Sequence, residues 1–346
     1  MLRHAARLHA RGHAVTCVAP NPFWYSGLAT GVLNGERAPA EDQVDVAALC
    51  ARHGVRFVQA ELMALDRPAR RTHLTDGTTE PYDVLSLALG SRIEAPPFEG
   101  PGIFPAKPIA SLLALRPHLE AIFAGGSPAR VVVAGSGVTG CEIAASVAGL
   151  ATRRRARAEV TVLGGPPLRQ WPDRIARRVT RLLTDRGVAF RPGHLIAAAH
   201  GTAQIDTGAL PYDALVLATG LRPPPVLRAL DLPLSPDGAL TVDAHLRSPA
   251  DPRVHGAGDC IAFEGEPLPR AGVFAVRQAP TLLHNLLAVA EGTPARRYRP
   301  RRPYLWIMNL GDGTGFAGVG PLHWHGRSAL ALKDRLDLSF LRRHSA

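Results

Sequence analysis

Lysine is almost missing from this chain: two residues, Lys107 and Lys333, stand among 40 basic positions, and the rest are arginine. The formal charge is still +11 at pH 7, but arginine alongside abundant alanine and proline is the mark of GC-rich coding. Aromatic residues make up only 5% of the chain. No basic stretch is interleaved with them in a recognised motif, so no nucleic-acid partner is expected. Cysteine is also sparse. Cys17, Cys50, Cys141 and Cys260 fall at spacings that match neither a zinc ribbon nor a C-x-x-C or C-x4-C redox disulfide, so no metal site is expected. No apolar run reaches the roughly 18 residues that span a bilayer, and the first residues lack the apolar core of a secretion signal. The expected location is therefore cytoplasmic. Peripheral contact with the inner membrane face is open to the arginines of 296–302 and the basic tail.

The chain does contain a glycine fingerprint. Residues 129–150, ARVVVAGSGVTGCEIAASVAGL, run from four buried-strand residues into Gly135-x-Gly137-x-x-Gly140 and then into an Ala/Val/Ile-rich helix. The first glycine makes the tight turn, the second admits a pyrophosphate to the backbone, and the third lets helix pack on strand. Val138 and Thr139 open the helix, whose amides and dipole favour an anion. This predicts a dinucleotide site. Two further segments share a pattern on either side of it: 82–90, YDVLSLALG, and 212–220, YDALVLATG, the latter ending in Ala218-Thr219-Gly220. Two such strands suggest two related nucleotide-binding units. Residues 253–262, RVHGAGDCIA, add a strand-to-turn unit with Gly258-Asp259, whose carboxylate suits the hydroxyls of a sugar-like chain. Alone, Asp259 reads as a helix cap.

In that order, fingerprint, ATG strand and GD strand, the chain resembles the two-dinucleotide-binding flavoproteins: pyridine nucleotide-disulfide oxidoreductases, type II NADH dehydrogenases and sulfide:quinone reductases. Within them it is most similar to the type II NADH dehydrogenase-like flavoproteins often associated with selenide, water dikinase. The residues carrying this closer likeness are Tyr25-Ser26-Gly27, Leu85-Ser86-Leu87, Gly90-Ser91 and Lys107-Pro108. With them go Ala271-Gly272-Val273, Ala275-Val276-Arg277-Gln278, Lys333-Asp334-Arg335, Asp337 and Phe340.

The resemblance implies an α/β fold of two Rossmann-like domains, each a three-layer ββα unit. An NAD(P)H-binding domain, 105–240, would be inserted in an FAD-binding domain, 1–104 with 241–299, and 300–346 would form a C-terminal extension. It implies FAD and NAD(P)H as cofactors. Besides the fingerprint and ATG residues, Ser26, Gly27, Lys107, Glu142, Gly164, Gly258, Asp259, Gly272 and Val273 are the expected cofactor-binding positions. No catalytic residue is assigned. Asp259 would hold the ribityl chain, and the amides at 271–273 would face the flavin ring. Glu142 matches a glutamate found there in relatives; a role at the helix start is equally open. In quinone-reducing relatives the helix after 272 bears glutamines that line the quinone site. Here Gln278 remains, whereas Val273 and Arg277 replace two others, and Arg277 would either favour a more anionic acceptor or form an internal ion pair.

Three departures qualify this reading. Family members open with a strand and a first glycine turn for the FAD pyrophosphate, whereas residues 1–8 read as the helix that follows such a turn. The expectation is a true start upstream, or else a degenerate protein without FAD. The strand ending at Ala19 lacks an acid for the adenosine ribose. Strand 159–163 ends in Gly164-Gly165, again without an acid, so NADH and NADPH stay open. The expected function is an FAD-dependent NAD(P)H oxidoreductase passing hydride from nicotinamide to flavin and on to a quinone-like or other small acceptor. The alternative is a non-catalytic or truncated nucleotide-binding relative linked to selenium metabolism. Sulfide oxidation would need a cooperating cysteine pair that the spacing does not supply. The tail helix, with Leu330, Leu332, Leu336 and Phe340 opposite its basic residues, is expected to pack on the protein; a homodimer contact or a membrane surface are the other options.

Overall fold

A computed structural model describes residues 4–93, 98 and 100–344. The first three residues of the helix expected over residues 1–8 lie outside the described residues, as do Pro96 and Pro97, which with Pro101 and Pro105 predict a crossing between domains. The helices are α1 (Ala5–His9), α2 (Ala29–Leu33), α3 (Val46–Arg52), α4 (Ile109–Leu113), α5 (Leu115–Ala124), α6 (Val138–Arg153), α7 (Asp173–Thr184), α8 (Gly272–Glu291) and α9 (Arg327–His344).

One parallel sheet of five strands organises the middle of the chain. Its order is Ile103–Pro105, Ala214–Leu217, Ala129–Ala134, Ala158–Gly164 and Val188–Pro192. Val131, Val133, Val160, Val162, Ala214 and Val216 are buried on this sheet, because helices cover a parallel sheet and its strands become almost continuously apolar. Leu115 and Leu119 of α5 and Ile143, Val147 and Leu150 of α6 fill one core cluster with them. Each large side chain contributes roughly 1.5–3 kcal/mol by leaving water. A break at Ala114 separates α4 from α5. An antiparallel hairpin over Thr202–Ile205 and Gly208–Pro211 joins Leu195–Ala199. Its short strands around Asp206-Thr207-Gly208 lack the length and alternation that mark a strand in sequence.

Strands outside that sheet form small separate pieces. Thr16–Val18 pairs in parallel with Arg56–Val58, and Leu85–Leu87 pairs in parallel with Val254–Gly256, but the two pairs do not join. Leu62–Asp66, Arg71–Leu74 and Thr79–Pro81 make an antiparallel sheet, its last two strands joined by a turn at Asp76-Gly77. A two-stranded ribbon, Arg92–Ile93 against Leu221–Arg222, links these pieces to the five-stranded sheet.

The tail forms a three-stranded antiparallel sheet, Trp306–Asn309, Gly315–Val319 and Leu322–Gly326, followed by α9. Its Leu310–Gly311 turn lies directly on α6: a Cβ on Gly149 would fall 2.1 Å from the Gly311 carbonyl oxygen. The tail therefore packs on the protein, although its helix is turned differently from the expectation. Leu336 is 49% exposed, while the Lys333 side chain points inward and is 13% exposed. Charge pairing, described below, outweighs apolar periodicity at that position.

Candidate functional site

The turn after Ala129–Ala134 is shaped as the glycines require. Gly135 has φ +125°, and an added Cβ would lie 2.1 Å from the Ala218 carbonyl oxygen. At Gly140 a Cβ would lie 1.8 Å from the Gly135 carbonyl oxygen, so any side chain would part helix from turn. Gly137 has open space in front of it, the nearest atom being Gln170 Nε2 at 3.8 Å. It begins α6, and no side chain caps that helix. The first-turn amides, with Val138 and Thr139, are thus left for an anion. Gly164 adjoins the same turn, where its Cβ would meet Ser136 Oγ at 2.7 Å. The loop beyond it folds back through Leu168 N, which donates to Ser136 O at 2.9 Å, and this return carries Gln170 over the turn. Sequence reasoning missed Gln170, because nothing in its local pattern marks the fold-back. These residues fit the pyrophosphate of NAD(P)H.

A second cluster lies where the ribbon meets the five-stranded sheet. Ala106 N donates to Leu217 O at 2.9 Å, which sets Lys107 beside the Ala218-Thr219-Gly220 turn at the carboxyl end of the strands, where open α/β sheets bind ligands. Lys107 Nζ donates to Ser91 Oγ at 2.8 Å and to Asp259 Oδ2 at 3.1 Å, and Ser91 Oγ donates to the same oxygen at 2.7 Å. Among the described residues Asp259 Oδ1 has no such partner. Asp259 belongs to a one-turn 3-10 helix, Gly258–Cys260, with Gly258 at φ +79°, so it does not cap a long helix. Arg270 bonds the Asp259 carbonyl at 3.1 Å, the Leu221 carbonyl at 3.4 Å and the Asp237 carboxylate. Ser91 and Arg270 were outside the expected site residues; their partners lie between 11 and 168 positions away.

α8 starts beside this cluster. Ala271 caps it without a side-chain bond, and Gly272 has open space before it; the Gly272 and Val273 amides stay available, whereas the Ala271 amide, also expected at the flavin, donates to the Pro269 carbonyl at 2.8 Å. Gln278 does not line an acceptor pocket. It is 1% exposed, and its Oε1 accepts Gly258 N–H at 2.7 Å. Arg277 makes no internal ion pair among the described residues; its guanidinium donates to the Arg301 carbonyl at 2.7 Å. Gly258, Asp259, Lys107 and the α8 amides fit the ribityl and ring end of FAD. The glycine turn for its pyrophosphate is not among the described residues.

A third node gathers residues that carried the subfamily likeness. Lys333 Nζ bonds Asp337 Oδ2 at 2.8 Å and the Gly27 carbonyl, Tyr25 donates to Asp337 Oδ1 at 2.8 Å, and Tyr25 stacks on Phe340 at 4.7 Å. Gly27, expected at a cofactor, is committed to this tail junction, and a Cβ there would strike the Tyr25 ring at 2.4 Å; Ser26 lies between them. Glu142 is also turned away from the nucleotide turn. Its Oε1 accepts Thr30 Oγ1 at 3.1 Å and Asn309 N–H at 2.9 Å, so it ties α6 to α2 and the tail instead of serving the helix start. Burial raises the Glu142 pKa, opposed by Lys333 and by its hydrogen bonds. Burial pulls Lys333 down, but Asp337 and Glu142 outweigh it and the ammonium is held above its ordinary range. Asp42, fully buried with both carboxylate oxygens unpaired, is pushed up to about 7 by burial.

The cysteines correct the spacing argument in one respect. Cys17, on Thr16–Val18, and Cys50, on α3, bring their thiols into contact. They share a small apolar core with Ala5, Val46 and Val55, away from Asp259, and burial pushes the Cys17 thiol up to about 12. That pair is packing, and it supplies no thiolate to the site.

Two glycine-turn units meeting at the carboxyl ends of parallel strands define the class: an α/β oxidoreductase of the two-nucleotide kind. The family model for pyridine nucleotide-disulphide oxidoreductases matches residues 2–285, and the chain belongs to that family. Its members include flavin-dependent NAD(P)H oxidoreductases. The chain is 27% identical over 320 residues to a probable ferredoxin reductase of Castellaniella defragrans, covering 86% of this chain and 73% of that protein. It is 30% identical over 225 residues to an NADH dehydrogenase-like protein of Mycobacterium tuberculosis, covering 60% of this chain and 56% of that one. The fold matches the sulfide:quinone oxidoreductase of Aquifex aeolicus with a TM-score of 0.83 at 18% identity, over 99% of this chain and 88% of that one. Among the described residues no helix is long and apolar enough to cross a membrane.

Proposed function

We propose that the protein is an FAD-dependent NAD(P)H oxidoreductase. Residues 105–240 hold the nicotinamide nucleotide, and 1–104 with 241–299 hold the flavin. The observation carrying this reading is an unbroken path of contacts between the two glycine turns. Gly135 packs on Ala218, Leu221 is tied through Arg270 to Asp259, and Lys107 reaches from the edge strand to the same aspartate.

The chain's own groups have separate tasks. The α6 amides bind the nucleotide diphosphate. Lys107 balances the Asp259 charge and fixes Oδ2, which leaves Oδ1 to accept a hydroxyl of the ribityl chain. Arg270 holds the two halves in register. The uncapped start of α8 favours negative charge placed before it. Asp259, Lys107 and the α8 amides would hold FAD there, and the flavin would supply the capacity to take up hydride and pass on electrons. With Gln278 committed to Gly258, a glutamine-lined quinone pocket is not favoured on this helix.

The test is reconstitution with excess FAD followed by titration with NADH and NADPH. A visible flavin band that bleaches with one donor supports the reading. Asp259→Ala should weaken FAD retention about tenfold, an effect expected for a lost charged hydrogen bond, while NAD(P)H binding stays. A folded protein that binds NAD(P)H yet takes up no FAD would overturn the proposal in favour of the non-catalytic relative.

A further inference from the structure

Five arginines fall between positions 296 and 302, and no carboxylate occurs between Glu291 and Asp312. In the structure this stretch is an extended strap lying antiparallel along α8. The strap is held firmly at its backbone. Asn285, fully buried, accepts Arg296 N–H at 2.7 Å and donates to Arg296 O at 2.8 Å and to His245 O at 2.7 Å. Tyr298 is buried and its N–H donates to Ala244 O at 2.7 Å. Arg277 closes the far end on Arg301 O. The side chains of Arg296, Arg297, Arg299 and Arg301 are left exposed, while Arg302 is paired with Glu266. A buried clamp thus presents guanidinium groups to solvent. It delivers them to the part of α8 where the next residue, Gln278, holds the Gly258 turn of the flavin site.

We propose that this strap is the docking surface for an acidic electron-carrier protein. The inference rests on the flavin reading above and names its acceptor class. Planar guanidinium groups pair two-pronged with carboxylates, and a one-signed patch raises the encounter rate with an oppositely charged partner. The relative in Castellaniella defragrans is itself named a probable ferredoxin reductase. A phospholipid surface is less well served. Peripheral helices hold to membranes by apolar side chains beside basic ones; among the described residues no large apolar side chain between 293 and 303 is exposed, and Val276, next to Arg277, is an exposed one on α8.

The experiment is direct binding of an acidic plant-type ferredoxin, by calorimetry, to the full chain with and without FAD. In parallel, the chain is sedimented with vesicles of phosphatidylcholine and phosphatidylserine. Binding should weaken at least about tenfold between about 50 and about 200 mM salt. It should weaken by a similar factor in the triple variant R297E/R299E/R301E, whose thermal melting should match the parent because those side chains are exposed. Ferredoxin binding indifferent to salt and to the charge reversal would overturn the proposal, as would sedimentation with anionic vesicles in the absence of ferredoxin binding. Because binding needs no electron transfer, failure of FAD uptake alone leaves this result readable.

Discussion

The two halves of the molecule are held together by different physics. The half proposed to hold the dinucleotide is organised by one five-stranded parallel sheet, with a small antiparallel sheet beside it, and the core on the parallel sheet is almost all aliphatic. The half proposed to hold the flavin is a set of two- and three-stranded pieces. At its margins stand Lys107 with Asp259, Arg270 with Asp237, and Lys333 with Asp337. A continuous sheet satisfies its backbone groups internally and needs no charge in its core. Where the sheet is divided, side-chain charges tie distant segments together. Such ties define geometry sharply, but they carry desolvation penalties and depend on pH.

The sharpest way to break the comparison is at Gly140. Gly140→Val places a side chain on the Gly135 carbonyl, and overpacking against backbone should cost upwards of about 3 kcal/mol. Soluble yield should collapse and NAD(P)H binding vanish; a stable variant that binds nucleotide normally would refute the packing described for the turn. Lys333→Met comes next. It strands Asp337 and Glu142 without their cation, for an expected loss of about 3 kcal/mol by urea denaturation. The loss should be smaller at pH 5, where Glu142, with its raised pKa, takes up a proton more readily. Equal losses at both pH values would mean that the ammonium does not balance these carboxylates.

Asp42 and His255 should give opposite pH slopes, both outside the aliphatic sheet. The Asp42 pKa is raised from 3.8 to about 7, so the folded state binds the extra proton. Stability should fall as pH rises from about 4 through 7. Asp42→Asn should remove that slope and gain on the order of 2 kcal/mol at pH 8; a variant no more stable than the parent at pH 8 would count against it. His255 is lowered from 6.5 to about 4, mainly by burial, so here the unfolded state binds the proton. Stability should be lost as pH falls from about 6.5 to 4, by about 1–2 kcal/mol. His255→Gln should flatten that limb in denaturant titrations, and an unchanged limb would place the sensitivity elsewhere.

Much of the fold was legible because it is written locally. The strand, glycine turn and helix at 129–153 show in hydrophobic period and in residues a few positions apart, and so does α8 with Gly292 ending it in the left-handed region. Legibility failed where neighbours in space are remote in sequence. Cys17 and Cys50 looked solitary by spacing and yet meet. Lys333 read as an outward residue of an amphipathic helix, although Asp337, Glu142 and the Gly27 carbonyl draw it inward. Gln278 read as an acceptor-site glutamine, although the Gly258 amide takes its carbonyl.

The sequence by itself determined the dinucleotide turn, the apolar strands of its sheet and the family to which the chain belongs, since each depends on steric limits and periodicities within about twenty residues. Only the tertiary structure decided which polar groups act together. Ser91 and Asp259 are separated by 168 positions, and Tyr25 and Asp337 by 312. A charge can be paired by any opposite group that the fold delivers within about 3 Å. Its partner is therefore a property of the packed chain, not of the local order of residues.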